Sequence, residues 1–166
     1  MKYITLLFAL AITLTSCNSN DDFIDTDTDT IAQSFETRPV NFTAANNYEV
    51  VIQTPNSIDQ FENDMTLVYL LQNEQPDTWV LLPQVFYAAN FEYQYNYSAT
   101  STSTTILLDS PVLSDLDFLP NQELLGKIFR IVRIPVADFS SDLDINNYDA
   151  VMNAVGLDTQ DIMVIE

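Results

Sequence analysis

The sequence predicts a mainly β fold, an antiparallel β-sandwich with one short C-terminal helix. Residues Phe91 to Tyr97 alternate between aromatic and polar side chains, which is the period of a strand with one buried face. Further apolar runs follow at roughly ten-residue spacing, with turn residues between them. This spacing favours antiparallel strands over βαβ units.

The individual strands are predicted from apolar runs and from the turn residues that bound them. Residues 65–71 form a nearly continuous apolar run, typical of a central strand covered on both faces. Pro76 and Pro83 bound the strand that returns beside it. The chain has only two glycines, so asparagines such as Asn46-Asn47 are expected to take left-handed turn positions. The predicted strands are 48–53, 65–71, 79–82, 91–97, 104–108, 127–136 and 162–165.

A short helix is predicted near the C-terminus. Asn146 can cap its first turn, Asp149 lies three residues further on as in a capping box, and Gly156 can close the helix at C′. We therefore expect the helix to pack on the sandwich through one apolar face. That face consists of Val151, Met152 and Val155.

The N-terminus carries the features of an export signal. Lys2 precedes an apolar run from Ile4 to Leu14, which is too short to span a bilayer as a helix. The run ends at Leu14-Thr15-Ser16-Cys17, which resembles the lipobox of bacterial lipoproteins. The resemblance implies that residues 1–16 are a signal peptide and that Cys17 becomes an acylated N-terminus carrying fatty chains such as palmitate. An ordinary secretory signal with a chance cysteine is the alternative.

Residues 17–34 are predicted to form a flexible acidic tether, and residues 35–166 to form the β-sandwich domain. The stretch from Asp25 to Thr30 alternates Asp and Thr and has no apolar periodicity. Asp21-Asp22 follows Cys17 closely, which resembles the export signal of surface-displayed lipoproteins in the Bacteroidota. We expect an outer-membrane, lipid-anchored protein exposed on the cell surface, with a periplasm-facing protein as the alternative.

Charge and missing residue types exclude several classes of function. The chain has 24 acidic and 5 basic residues, a net charge of −19, which repels nucleic acid and anionic lipid head groups. We therefore expect contact with the membrane through the lipid alone. There is no histidine, and Cys17 is the only cysteine, so Ser-His-Asp and Cys-His mechanisms are excluded, as are imidazole-ligated metals.

Three further segments resemble one group of proteins. They are -Thr-Trp-Val-Leu-Leu-Pro- at 78–83, the run from Phe129 to Pro135, and the run from Asn147 to Met152. Together with the lipobox and the acidic tether, they resemble a group of small flavobacterial surface lipoproteins. The resemblance covers most of the chain after residue 16 and implies a β-rich surface domain. It supplies no catalytic residue.

An aromatic ladder is the first candidate binding feature. Phe91, Tyr93, Tyr95 and Tyr97 occupy alternate positions and share one face of a strand. If exposed, Tyr93, Tyr95 and Tyr97 can stack on sugar rings and donate hydrogen bonds. The favoured interpretation places the rings in the core between the sheets, because large aromatic side chains dominate core burial.

A calcium loop is the second candidate. Asp142, Asp144 and Asn146 match the first three ligand positions of an EF-hand loop. Asn147 stands where the loop requires a turn, but Asn153 at position 12 cannot chelate bidentately. A helix cap is the alternative explanation of the same residues. Apart from calcium at this loop, no cofactor is expected.

The strand predicted over 127–136 carries two basic residues on opposite faces. Arg130 and Arg133 are three positions apart, so they point to different sides of the sheet. Each is expected to pair with an acidic residue on a neighbouring strand rather than to bind a ligand.

The sequence therefore predicts a non-catalytic, membrane-anchored binding or structural module, with glycan as the favoured ligand. A small hydrolase that acts through Asp and Glu is one alternative, with Glu92 as its candidate carboxylate. A subunit of an outer-membrane surface complex, paired to a protein partner through an edge strand, is the other alternative.

Overall fold

Nine strands form two sheets in the part of the chain that the computed structural model describes, namely residues 32–58, 61, 63–88, 90–136, 141–158 and 162–165. The predicted signal peptide and Cys17 lie outside these residues. The strands are β1 (Gln33–Thr37), β2 (Glu49–Gln53), β3 (Met65–Glu74), β4 (Asp77–Leu81), β5 (Gln84–Ala88), β6 (Phe91–Ala99), β7 (Ser103–Asp109), β8 (Phe129–Ile134) and β9 (Met163–Ile165).

The two sheets confirm the predicted sandwich class. One has five strands in the order β4-β3-β8-β1-β9, and the other has four in the order β2-β7-β6-β5. Every pair of neighbouring strands in the described residues is antiparallel except β1 and β9, which run parallel. The short β9 thus covers one side of β1 and adds a parallel edge that the sequence pattern did not indicate.

The core between the sheets is built around aromatic rings. Phe42 contacts Tyr95 edge-on, with ring centroids 5.4 Å apart, and contacts Phe129 at 5.9 Å. Tyr95 and Phe129 also lie 5.9 Å apart, so rings from β6 and β8 meet across the sandwich. Edge-to-face contacts of this kind contribute about 0.5–1.5 kcal/mol each beyond the burial of area.

A second apolar cluster covers the outer face of the five-stranded sheet. Helix α2 (Tyr148–Ala154) places Val151 and Met152 against Val132 and Ile134 of β8 and their neighbours on β3. All six residues of β8 are buried, because one face points into the sandwich and the other points toward α2. This double cover explains the continuous apolar character of the central strands.

All seven predicted strands are present, with boundaries that differ by up to three residues. The runs 48–53, 65–71, 79–82, 91–97, 104–108, 127–136 and 162–165 each overlap a strand. The sequence does not predict β5, because Pro83 ends the strand that it predicts before it. β1 begins at Gln33, two residues inside the predicted tether, and Ala32 before it is already buried.

The predicted C-terminal helix is α2, with a different cap. Asn147, rather than Asn146, is the N-cap, and its side chain accepts a hydrogen bond of 3.0 Å from the amide of Ala150. Asn146 was the wrong choice because its side chain donates to Asp144 instead. Gly156 follows the helix with φ 68°, as the prediction of a C′ glycine requires. Within the described ranges, no helix is long and apolar enough to cross a membrane.

Two short helical segments between β7 and β8 were also not predicted. Residues 113–118 form a 3-10 helix, and α1 (Asn121–Leu124) follows it. Leu116 and Leu119 are buried in the core between the sheets, so the segment 113–124 packs against the sandwich. A stretch this short contains too few turns to show a helical apolar period.

Candidate functional site

The aromatic ladder lies in the core. Tyr93 is 4% exposed and Tyr95 is 0% exposed, while Tyr97 is partly buried. The interpretation that places Tyr93, Tyr95 and Tyr97 on an exposed sugar-binding face is therefore wrong for this strand. The reason is that residues of β6 with odd numbers face the other sheet, where their rings fill the space between the two layers.

The hydroxyl groups of the ladder find partners at the edges of the core. Tyr95 donates to the backbone carbonyl of Glu123 in α1, and Tyr97 donates to the carbonyl of Thr66 in β3 at 2.8 Å. Burial raises the pKa of Tyr95 and of Tyr97 above the ordinary value. Burial, followed by the interaction with Glu123, raises the pKa of Tyr93 as well. The hydrogen bonds of Tyr95 and Tyr97 thus offset part of the cost of burying their hydroxyl groups.

The predicted calcium loop is a capped turn before α2. Asp142 and Asn146 are exposed, and Asp144 Oδ1 accepts a 3.1 Å hydrogen bond from the Asn146 amide. Asn146 Nδ2 donates to the same oxygen at 3.3 Å. Across the described ranges, no three acidic side chains are arranged to hold a metal ion. Calcium binding by Asp142, Asp144 and Asn146 stays an untested prediction.

One cleft lies at the turn between β5 and β6. Its volume is about 700 Å³, and the segment 113–124 forms its other wall. That volume falls within the range of about 300–1,000 Å³ that is usual for small-molecule sites. The lining residues that the chemistry below uses are Tyr87, Asn90, Asp115, Phe118, Gln122 and Glu123.

Two strongly exposed aromatic rings belong to this cleft. Tyr87 is 81% exposed and Phe118 is 78% exposed, although both are large side chains. Tyr87 comes from the edge strand β5, and Phe118 comes from the last position of the 3-10 helix. Exposed rings on opposite walls of a cleft can present their faces to a ligand that carries C–H groups.

Polar side chains also line the cleft. Asn90 and Gln122 supply amide donors and acceptors, and Asp115 and Glu123 supply carboxylate acceptors. Glu123 also lies 4.0 Å from the ammonium nitrogen of Lys127 in an i,i+4 pair. Burial lowers the pKa of Lys127, and the charge of Glu123 opposes that shift. The cleft thus combines apolar ring faces with hydrogen-bonding groups that fix orientation.

The cleft continues onto the outer face of the four-stranded sheet. A neighbouring cavity of about 580 Å³ shares Tyr87 and Asp115 with the first and adds Glu92. Glu92 lies directly opposite Tyr87 in the register of β5 and β6. A third cavity of about 190 Å³ extends past Glu92 to Gln94. The three cavities form one continuous surface, which we call the hairpin cleft.

The hairpin cleft lies at the end of the sandwich opposite the point where the chain enters it. β1 starts at Gln33, which is paired with Arg133. Arg133 donates a 2.9 Å hydrogen bond to the carbonyl of Thr100, which follows the last residue of β6. Phe91, at the start of β6, and its partner Ala88, at the end of β5, both line the cleft. A strand of nine residues therefore separates the two ends.

The two arginines of β8 have different surroundings. Arg130 is paired with Glu36 of β1, with 3.2 Å between Nε and Oε2, as predicted. The residues directly opposite Arg133 on β1 and β3 are Gln33 and Thr66, and the acidic side chain of Asp64 precedes β3. Burial lowers the pKa of Arg133, and the charge of Asp64 opposes that shift. Both side chains are buried and serve the packing of the domain.

Sequence reasoning missed the hairpin cleft. Tyr87 belongs to a strand that was not predicted, and Phe118 belongs to a helix that was not predicted. The available signal was the presence of Val112, Leu113 and Phe118 in a Pro- and Asp-containing stretch with no strand periodicity.

Comparison with known proteins finds no match. No family model, no curated protein and no solved structure matches this chain.

Proposed function

We propose that this chain is an acylated surface lipoprotein of the outer membrane whose sandwich binds glycans without catalysing a reaction. The lipobox ending at Cys17 supports the anchor, and the acidic stretch after it supports a tether. The hairpin cleft supports the binding role and replaces the tyrosine ladder as its site. One observation carries the proposal: two exposed aromatic rings share a cleft with amide and carboxylate side chains.

The chemistry of the cleft suits a carbohydrate. The axial C–H groups of a sugar ring carry a partial positive charge, and the face of an aromatic ring carries a partial negative charge. Tyr87 and Phe118 therefore offer stacking surfaces at little conformational cost. Asn90 and Gln122 can both donate to and accept from sugar hydroxyls, which are themselves donors and acceptors.

The position of the cleft also suits capture at a cell surface. The chain enters the domain at the end of the sandwich that contains Gln33 and Arg133. A lipid anchor at Cys17 would therefore hold that end nearer to the membrane. The hairpin cleft at the opposite end would then face outward, where glycans in the medium can reach it.

The test is binding of the mature lipoprotein, purified in detergent, to a glycan array. We expect binding to at least one glycan, and Tyr87→Ala and Phe118→Ala each to weaken it by about three- to tenfold, because each removes about 0.5–1.5 kcal/mol of ring contact. Val51→Ala removes an exposed apolar side chain from β2, away from the cleft, and serves as the matched control. Absence of any bound glycan, or full binding by both aromatic variants, would overturn the proposal.

A carboxylate-dependent hydrolase is the second candidate function, because Asp115 and Glu123 line the same cleft. Glycoside hydrolysis requires two carboxyl groups on either side of the scissile bond, roughly 5–10 Å apart. A hydrolase would release new reducing ends from the bound glycan, and Glu123→Gln or Asp115→Asn would abolish that release. A binding module leaves the glycan intact over the same incubation.

A further inference from the structure

The charge of the hairpin cleft is of one sign. Asp115 and Glu123 line its main cavity, and Glu92 lines the cavity beside it. Among the described residues that line the three cavities, none is lysine or arginine. A ligand that enters the cleft therefore meets carboxylates and amides, without a cation to neutralise a negative group.

Lys127 is a described cation that contacts two residues of the cleft wall, Gln122 and Glu123. Lys127 Nζ lies 5.9 Å from the ring centroid of Tyr95, and it donates to the carbonyl of Gln122 at 3.3 Å. It is also paired with Glu123, and its side chain is largely buried. A ligand could recruit Lys127 only by breaking these contacts, so its charge is already used within the domain.

The two arginines of β8 are equally unavailable. Arg130 is buried on the outer face of the five-stranded sheet, where it contacts Glu36 and Trp79. Arg133 is buried at the opposite end of the sandwich, where it contacts Thr100. Neither can supply positive charge to a ligand in the hairpin cleft.

We infer that the hairpin cleft selects uncharged glycan chains and excludes polyanionic ones, such as those that carry uronate or sulfate groups. The inference rests on the proposed function and names its ligand class. Like charges brought together at a partly desolvated surface repel each other strongly, and such repulsion is a source of specificity. The net charge of −19 adds a long-range field that slows the approach of a polyanion.

The test compares each neutral glycan with its own charged derivative. Mannan, galactan and amylose are immobilised in native form, in a form oxidised to the carboxylate at C6, and in a form whose carboxylate has been converted to the amide. The mature lipoprotein should bind at least one native chain. Its affinity for the C6 carboxylate should be at least about tenfold lower at low salt. The difference in affinity between the native chain and its C6 carboxylate should be smaller at 1 M salt, where the screening length is about 3 Å.

The amide derivative and a pair of variants separate charge from shape. The amide keeps the altered C6 group but removes its charge, so it should bind nearly as well as the native chain. The double variant Asp115→Asn/Glu123→Gln should bind the carboxylate form more tightly than the wild type does. The control variant Glu74→Gln/Asp77→Asn changes the net charge equally but lies in the exposed β3–β4 hairpin. It should bind the carboxylate form no more tightly than the wild type does.

The possible results separate the two proposals. A carboxylate form bound as tightly as the native chain would overturn the inference and leave glycan binding in place. An amide form bound as weakly as the carboxylate form would also overturn it, because shape rather than charge would then decide. If no derivative of any glycan binds, the proposed function fails and the inference fails with it. Thermal melts of both double variants establish that they are folded.

Discussion

The hydroxyl of Tyr48 donates a hydrogen bond to the carboxylate of Asp117, which joins the start of β2 to the 3-10 helix that carries Phe118. Tyr48 is buried and has φ 56°, in the left-handed region that bulky residues rarely adopt. Asn47 before it has φ 53°, as expected for an asparagine at a turn. The bond therefore fixes one wall of the hairpin cleft to the sandwich at a strained position of the backbone.

Tyr48→Phe removes this bond while keeping the ring. We expect a loss of about 1–2 kcal/mol in the free energy of unfolding, measured by urea denaturation, because the bond involves a charged acceptor. We also expect weaker glycan binding, because the wall that carries Phe118 is less firmly held. The control is Tyr87→Phe, which removes a hydroxyl from an exposed side chain and should leave the free energy of unfolding unchanged. Equal stability of both variants would show that the Tyr48 bond does not hold the wall.

The buried phenols predict a loss of stability at alkaline pH. Burial raises the pKa of Tyr69, Tyr93 and Tyr95 above the unfolded value of 10.0. The folded state therefore favours the neutral phenols. Their contribution is complete below pH 10.0 and is lost as the pH rises from there toward the folded-state values. Urea denaturation at pH 8 and at pH 11 should show the decrease.

A single variant tests whether these phenols cause the decrease. Tyr95→Phe removes one buried hydroxyl, so the free energy of unfolding should depend less steeply on pH above pH 10 than in the wild type. Its stability at pH 8 should also fall, because the carbonyl of Glu123 loses its partner. An unchanged slope would mean that other groups control the alkaline transition.

The contacts of Arg130 predict that its contribution to the free energy of unfolding depends on the shape of its side chain as well as on its charge. Its guanidinium carbon lies 4.1 Å from the ring centroid of Trp79 and 5.3 Å from that of Tyr148, and its nitrogens donate to Glu36 and to the Tyr148 hydroxyl. Arg130→Ala should lower the free energy of unfolding by about 3 kcal/mol, since it leaves a partly buried carboxylate without its partner. Arg130→Lys restores the charge but not the flat stacking surface.

Comparison of the two Arg130 variants separates the contribution of the positive charge from that of stacking on Trp79 and Tyr148. Arg130→Lys should recover less than half of the stability lost in Arg130→Ala, measured by urea denaturation at neutral pH. Glu36→Gln keeps a hydrogen-bond acceptor and should cost less than Arg130→Ala does. If Arg130→Lys were as stable as the wild type, charge alone would account for the contribution of the arginine.

The sequence predicts the strands whose pattern of apolar and polar residues directly reflects which of their faces are buried. β6 shows a period of two because alternate residues face the other sheet, and β3 is continuously apolar because α2 covers its second face. β5 was missed because apolar Val85 and Tyr87 point outward from an edge strand, which obscures the expected alternation. The pattern of one strand cannot reveal which neighbours leave its side chains uncovered.

The candidate site depends on contacts between distant parts of the chain. Tyr87 and Phe118 are 31 positions apart in the sequence, and they line one cleft only because the segment 113–124 packs across the end of the sandwich. That packing rests on Leu116 and Leu119, and two buried residues in so short a stretch are too few to establish a helical period. The tyrosine ladder was the more visible feature of the sequence, but its regularity reflects the core.

The proposed anchor makes a prediction that mass spectrometry can test on the native protein. The mature chain should begin at Cys17, lack residues 1–16, and carry fatty acyl chains on that cysteine. Two or more chains are required for stable attachment, because each buried methylene contributes about 0.8 kcal/mol and a single chain binds only marginally. Cys17→Ala should leave the signal peptide uncleaved and the product without acyl chains, while Thr15→Ser, which keeps a small residue before the cysteine, should be processed normally. A native product with a free thiol at Cys17 would remove the anchor, and the outward orientation of the hairpin cleft would then have no support.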